Sequence, residues 1–125
     1  MHQSWPRQIL LICLTLASLL AFARPEPAVN SQVGTIFIAD LPHEARQTLR
    51  LIQRGGPYPY ERDGVEFRNF ERRLPKAARG HYREYTVSTP GLNHRGARRI
   101  VSAGDPPTDY YYTEDHYNSF RRIQE

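Results

Sequence analysis

The chain has 125 residues, with 17 basic and 13 acidic side chains and a net charge of +4. That length supports one small domain around a single core and is too short for two. A lone cysteine, Cys13, excludes an internal disulfide, and the modest positive surplus favours a polyanionic partner only weakly, because the same charge serves solubility.

Residues 1–23 carry the pattern of an export signal: Arg7, a mostly apolar run from Ile9 to Phe22, and Ala21-Phe22-Ala23 as a small-x-small cleavage site. The alternative is a membrane anchor, but an apolar run of about 14 residues falls short of the roughly 20 that a spanning helix needs. Cleavage would leave 102 residues with 16 basic and 13 acidic side chains, free of the membrane and secreted to the periplasm or medium. Residues 24–32, with two prolines and little apolar periodicity, are expected to form a flexible arm. The domain proper is expected over 33–125.

Val33 to Ala39 is rich in β-branched and aromatic residues and predicts a first strand, ended by Asp40. From Pro42 to Arg54 the apolar residues Ala45, Leu49 and Ile52 recur at helical spacing, with Glu44 in the first turn and Gly55-Gly56 at the stop. Arg46, Arg50 and Arg54, four apart, fit a solvated face of that helix better than an RNA-binding one. A loop rich in Gly and Pro leads to Val65-Glu66-Phe67, and a second loop spans Leu74 to Gly80. Tyr82–Ser88, Arg98–Ser102 and Tyr110–Thr113 then read as strands, with Ser119–Ile123 as a last edge strand. The tyrosines of 110–112 should face core and solvent in turn. One N-terminal helix followed by closely spaced strands predicts an α+β fold, the helix packed on a mostly antiparallel β-sheet.

Without a second cysteine or a pair of histidines at ligand spacing, the sequence offers no metal motif; a glycine-rich phosphate loop and a Gly-x-Ser-x-Gly elbow are also missing. What remains is carboxylate and histidine chemistry. Glu84 interrupts an aromatic and β-branched strand, where a cross-strand ion pair with a nearby arginine is the plainer explanation. Arg95 and Arg99 straddle a turn-to-strand junction and can project toward that carboxylate, with Arg98 on the opposite face. His116 sits in a turn-like segment after the tyrosine strand, a position where a histidine is usually just exposed. Together, a carboxylate, two guanidiniums and an imidazole make up an acid, a base and a charge clamp, as phosphodiester transfer to a ribose 2′-hydroxyl requires.

The ordered motifs Glu84-Tyr85-Thr86-Val87, Thr89-Pro90-Gly91, Arg95-Gly96-x-Arg98-Arg99-Ile100 and Tyr111-Tyr112-Thr113-x-Asp115-His116-Tyr117 resemble the small secreted guanyl-specific ribonucleases of bacteria. This is the barnase family, and the likeness is to its ribonuclease Sa type. It extends upstream through Leu41-Pro42-x-Glu44-Ala45, Gly56-Pro57-Tyr58-Pro59-Tyr60, Asp63-Gly64-Val65 and Phe67-x-Asn69-x-Glu71, and so covers nearly all of Val33 to Ile123. The resemblance implies the microbial ribonuclease fold and a metal-independent, cofactor-free endonuclease that cuts single-stranded RNA after guanosine through a 2′,3′-cyclic phosphate.

By the same resemblance Glu84 is the general base and His116 the general acid, which predicts a bell-shaped pH profile. Arg95 and Arg99 hold the phosphate, and Tyr117 hydrogen-bonds it. Guanine selection maps to Phe67, Arg68, Asn69, Phe70 and Glu71: the Glu71 carboxylate accepts from guanine N1–H and the amino group, backbone amides near Asn69 meet O6, and an aromatic ring stacks on the base. From the residues alone, an ion pair of Glu71 with Arg72 or Arg73 is the plainer reading. Arg68 replaces the usual glutamine, Phe70 the usual arginine, and Phe37 a disulfide cysteine, so guanine preference could be relaxed and stability lowered. The implied partners are single-stranded RNA and a small acidic, barstar-like protein inhibitor, for a chain expected to be monomeric. The alternatives are a secreted RNA-binding module of the same fold without activity, which the intact acid, base and arginines disfavour, and an antibacterial ribonuclease toxin, disfavoured by the lack of a delivery domain.

Overall fold

A computed structural model describes residues 33–125. The expected export signal, residues 1–23, and the expected arm, residues 24–32, lie outside the described residues.

Strand β1 is Gly34–Phe37. It is shorter than the expected Val33–Ala39 because Ile38–Asp40 turns into one 3-10 turn, closed by Leu41 N–H donating to Ile38 O at 3.1 Å. Helix α1 follows at His43–Arg54, with the Pro42 carbonyl accepting from Ala45 and Arg46 and Glu44 in the first turn. It ends at Gly55, whose φ of 80° is a left-handed conformation that glycine adopts without a Cβ penalty. The buried stripe of α1 is Ala45, Thr48, Leu49 and Ile52, so truncating Leu49 to Ala would cost about 2–5 kcal/mol.

The remaining strands are β2 Val65–Glu66, β3 Tyr82–Thr86, β4 Arg99–Ala103, β5 Asp109–Thr113 and β6 Arg121–Gln124. All six form one sheet in the order β1-β6-β5-β4-β3-β2, antiparallel throughout except for the parallel pair β1 and β6. The final strand is therefore not an edge, as the sequence suggests, but lies between β1 and β5. Strand propensity does not reveal which neighbours a strand will take.

Side-chain alternation divides the core in two. On the helix side, Leu49 and Ile52 pack with Tyr85, Val87, Ile100 and Tyr112, and Thr48 ties α1 to β3 by donating its hydroxyl to Thr86 O at 3.1 Å. On the other side, Leu74, Tyr82, Val101, Ala103, Tyr111 and Phe120 form a second cluster. Tyr111 is thus buried rather than facing solvent as the alternation predicts, because loop residues Leu74, Phe67 and Phe120 roof the second face. Arg98 and Arg99 do separate as expected: Arg98 lies 3.8 Å from Glu44 on α1, while Arg99 is buried on the second face. The register places Glu84 beside Val101, and Thr86 beside Arg99, on that same face.

Candidate active site

The roof over the second face is incomplete, and its gap is a cleft of about 440 Å³. Glu84, His116, Tyr117 and the Phe67–Glu71 loop line it, together with Arg62. Residues from β3, from the β2–β3 connection and from the β5–β6 loop, up to about fifty positions apart, thus share one opening.

Glu84 is the centre. Its residue is only 7% exposed, on β3 between β4 and the edge strand β2. Tyr117 donates its hydroxyl to Oε2 at 2.7 Å, and Arg95 lies 3.5 Å from Oε1. Arg95 is also held by β3, donating Nε to Thr86 Oγ1 at 3.0 Å, so two same-face residues of one strand aim a single guanidinium. The turn that delivers it depends on Gly96: φ is 65°, and a Cβ there would meet Thr89 Oγ1 at 3.0 Å.

Arg99 is 2% exposed. It donates to the Arg98 carbonyl at 2.7 Å and the Arg95 carbonyl at 3.4 Å, its guanidinium sits 6.0 Å from the centre of the Tyr117 ring, and its Nε has no hydrogen-bond partner among the described residues. Among the described residues no carboxylate forms an ion pair with it. A buried cation lacking an anionic partner is costly. The arrangement leaves its charge for an anion from outside the chain.

His116 is exposed and adopts φ 53°; Tyr117 follows at φ 70°. Two consecutive left-handed non-glycine residues need a scaffold to hold them. It comes from Asp115, whose carboxylate accepts from Thr113 Oγ1 at 2.9 Å, Ser119 N–H at 2.9 Å and Ser119 Oγ at 2.6 Å. Tyr117 N–H donates to Thr113 Oγ1 at 3.1 Å, and His116 N–H to Ala97 O at 3.1 Å. Although burial alone would push the Asp115 carboxyl up, the Ser119 and Thr113 hydrogen bonds outweigh it and hold it below its ordinary value. For Tyr117, burial first and the Glu84 carboxylate second push the hydroxyl far up, so it remains a proton donor.

The Phe67–Glu71 loop continues the β2–β3 ladder by one bond, Phe67 N–H to Tyr82 O at 2.9 Å, before turning. Asn69, at φ 55°, clasps the turn: its Nδ2 donates to Leu74 O at 2.8 Å and its Oδ1 accepts from Leu74 N–H at 3.1 Å. Phe67 is half-buried on the cleft wall, stacked on Tyr117 with ring centroids 5.0 Å apart. Phe70 offers a freer ring, at 80% exposure, with the Arg68 guanidinium 5.8 Å from its centre. Glu71 takes the plainer of its two expected roles here: Arg73 lies 2.7 Å from Oε2.

The ten expected site residues thus gather in one region, eight on the cleft and the two arginines behind it. Sequence reasoning misses Arg62, 3.8 Å from Glu84 Oε1, which comes from an aperiodic loop. Its only sequence signal is the Arg62-Asp63-Gly64 turn beside β2; Asp63 fixes that turn to β3 by accepting from Thr86 N–H at 2.7 Å.

A sequence model of the family described as ribonuclease matches residues 24–124. The chain belongs to this family. Guanyl-specific ribonuclease St of Saccharopolyspora erythraea is 58% identical over 84 residues, spanning 67% of this chain and 81% of that protein. Ribonuclease Sa2, solved in complexes with mononucleotides, superimposes with a TM-score of 0.72 at 46% identity, covering 80% of this chain and 98% of that one. A structure of ribonuclease Sa2 with guanosine-2′-cyclophosphate gives a TM-score of 0.69 at 47% identity, covering 74% and 96%. The six-stranded sheet with one packed helix is therefore the microbial ribonuclease fold expected from the sequence.

Proposed function

We propose that this protein is a guanyl-specific endoribonuclease that cleaves single-stranded RNA on the 3′ side of guanosine by cyclisation and then hydrolysis. The observation that carries this reading is the buried Glu84 carboxylate sharing one cleft with His116 while Arg95 touches it and Arg99 lies behind it without an anionic partner.

In the first step Glu84 takes the proton of the ribose 2′-hydroxyl as that oxygen attacks phosphorus. The bond from phosphorus to the 5′-oxygen breaks, and His116 protonates the departing oxygen. The products are a 2′,3′-cyclic phosphate and a free 5′-hydroxyl. Water then opens the ring with the roles exchanged, His116 accepting a proton and Glu84 returning one, to leave a 3′-phosphate. Arg95 and Arg99 stabilise charge on the non-bridging oxygens, worth about 10²–10³ in rate for a well-placed donor. Tyr117 supports the carboxylate and lies at the phosphate. Acid and base each contribute about 10²–10⁴.

Glu71 selects guanine by accepting from N1–H and the exocyclic amine, exchanging Arg73 for the base. The Asn69-clasped loop offers backbone amides to O6, and Phe70 with Arg68 covers the base face. Export through the residue 1–23 signal belongs to the same proposal, as does a small acidic inhibitor competing for the cleft's cations.

The test is digestion of a defined RNA in excess chelator by the protein and by Glu84→Gln and His116→Ala variants. Cleavage that persists in chelator, ends at guanosine 2′,3′-cyclic phosphate and collapses in both variants is expected. Variants as active as the parent refute the acid–base assignment, and ends at all four bases refute the Glu71 assignment.

A further inference from the structure

The Phe67–Glu71 loop has two sides. One faces the cleft with Glu84 and His116; the other walls a separate groove of about 470 Å³, closed opposite by residues 76–79 and floored by Tyr82. Four cations line this groove: Arg68 and Arg72 from the loop, Lys76 and Arg79 from the facing segment. All four are exposed, and none forms an ion pair among the described residues. The one carboxylate in the lining, Glu66, is engaged by Gly80 N–H at 2.9 Å. Phe70, at 80% exposure, lies on both the groove and the cleft.

Unpaired cations around an exposed aromatic ring are the ordinary equipment for a single nucleic-acid strand, phosphates on the cations and a base on the ring. The direction of the strand follows from the placement of the acid. His116 stands on the β5–β6 loop and protonates the leaving 5′-oxygen, so the downstream nucleotide departs on that side. The groove lies across the guanine loop from it, beside β2 and β3, and contains neither Glu84 nor His116. We infer that this groove is a subsite for the RNA strand on the 5′ side of the cleaved guanosine, with Lys76, Arg79 and Arg72 on backbone phosphates and Phe70 bridging toward the upstream base. The inference rests on the ribonuclease reading and extends it from one nucleotide to a strand with polarity.

Three substrates test it: the dinucleotide guanylyl-3′,5′-cytidine, the same lengthened by three adenosines at its 5′ end, and the same lengthened by three at its 3′ end. The 5′-lengthened substrate is expected to show kcat/KM about tenfold above the dinucleotide at low salt. A Lys76→Ser/Arg79→Ser double variant should lose that gain and still cut the dinucleotide at the parent's rate. Two lost phosphate contacts should also flatten the salt dependence for the long substrate by about 1.4 in log–log slope. A gain equal in parent and double variant, or confined to the 3′-lengthened substrate, overturns the subsite. Anisotropy titrations with the same oligonucleotides carrying 2′-deoxyguanosine separate the two claims. If the dinucleotide is not cut, the ribonuclease reading fails, yet tighter binding of the 5′-lengthened strand by the parent than by the double variant still supports the groove, and equal binding refutes it.

Discussion

Tyr117 donates a hydrogen bond from its hydroxyl to Glu84 Oε2 at 2.7 Å, joining the loop that carries His116 to the strand that carries the carboxylate. A hydrogen bond to a charged acceptor is worth about 1.5–3 kcal/mol. Tyr117→Phe is therefore expected to lower kcat about 10- to 100-fold. Its ring still stacks on Phe67, but the lost bond to a buried carboxylate should also lower the melting temperature by several degrees. Stopped-time cleavage assays and a thermal melt on one sample check both; an unchanged kcat would show that the bond has no role in the reaction.

Arg99 sets function against stability. Arg99→Met removes a buried cation together with its bonds to two carbonyls. The desolvation penalty of an unpaired ion, several kcal/mol, exceeds the roughly 1.5–3 kcal/mol returned by the short bond to the Arg98 carbonyl, the 3.4 Å bond to the Arg95 carbonyl being weak. The variant should be more stable by about 1 kcal/mol, a rise of about 4 °C or more in melting temperature for a domain of this size, and at least 100-fold less active. Inorganic phosphate should raise the parent's melting temperature and leave the variant's nearly unmoved.

Arg73 competes with the base for Glu71. Because the pair is exposed, with side chains 42% and 71% accessible, it is worth at most about 1 kcal/mol. Arg73→Ala should lower KM for a guanosine dinucleotide by up to about fivefold without changing kcat, whereas Glu71→Gln should raise KM and admit other bases. A higher KM in Arg73→Ala would mean that the arginine helps to bind substrate instead.

The tyrosines tie stability to alkaline pH. Burial, followed by neighbouring tyrosines and carboxylates, pushes Tyr58 and Tyr82 up to about 12 from an ordinary 10, and burial also raises Tyr110, Tyr111 and Tyr112. The unfolded chain then releases protons at a pH where the native chain keeps them. Their contribution is fully present below pH 10 and declines as pH rises toward 12. Denaturant melts should lose stability steeply across that interval, with the tyrosinate absorbance of these five side chains appearing together with unfolding rather than before it.

Much of this was legible in residue spacing. Ala45, Leu49 and Ile52 mark the helix, and the two-residue period of a strand is enough to send Arg98 to Glu44 and Arg99 to the site. Glu84 and His116 gain meaning only from the motifs around them, since each alone fits an ordinary ion pair or rim histidine. What spacing does not carry is non-local. The partners of β6, the roof that Leu74 and Phe120 place over Tyr111, and the approach of Arg62 to Glu84 all depend on aperiodic loops. For Glu71 local charge offers both Arg72 and Arg73; the clasped turn, with Arg72 itself at φ 54°, leaves Arg73 as the partner.

The parallel pairing of β1 with β6 has a consequence for when the enzyme comes into being. Among the described residues, β6 is the only neighbour that β1 has in the sheet, and the loop bearing His116 is anchored on one side by β6. A chain still being made holds Gly34–Phe37 without this partner strand until Arg121–Gln124 emerges. Completion of the sheet and closure of the cleft therefore await the last strand of the sheet, and a copy that lacks it has no assembled nuclease.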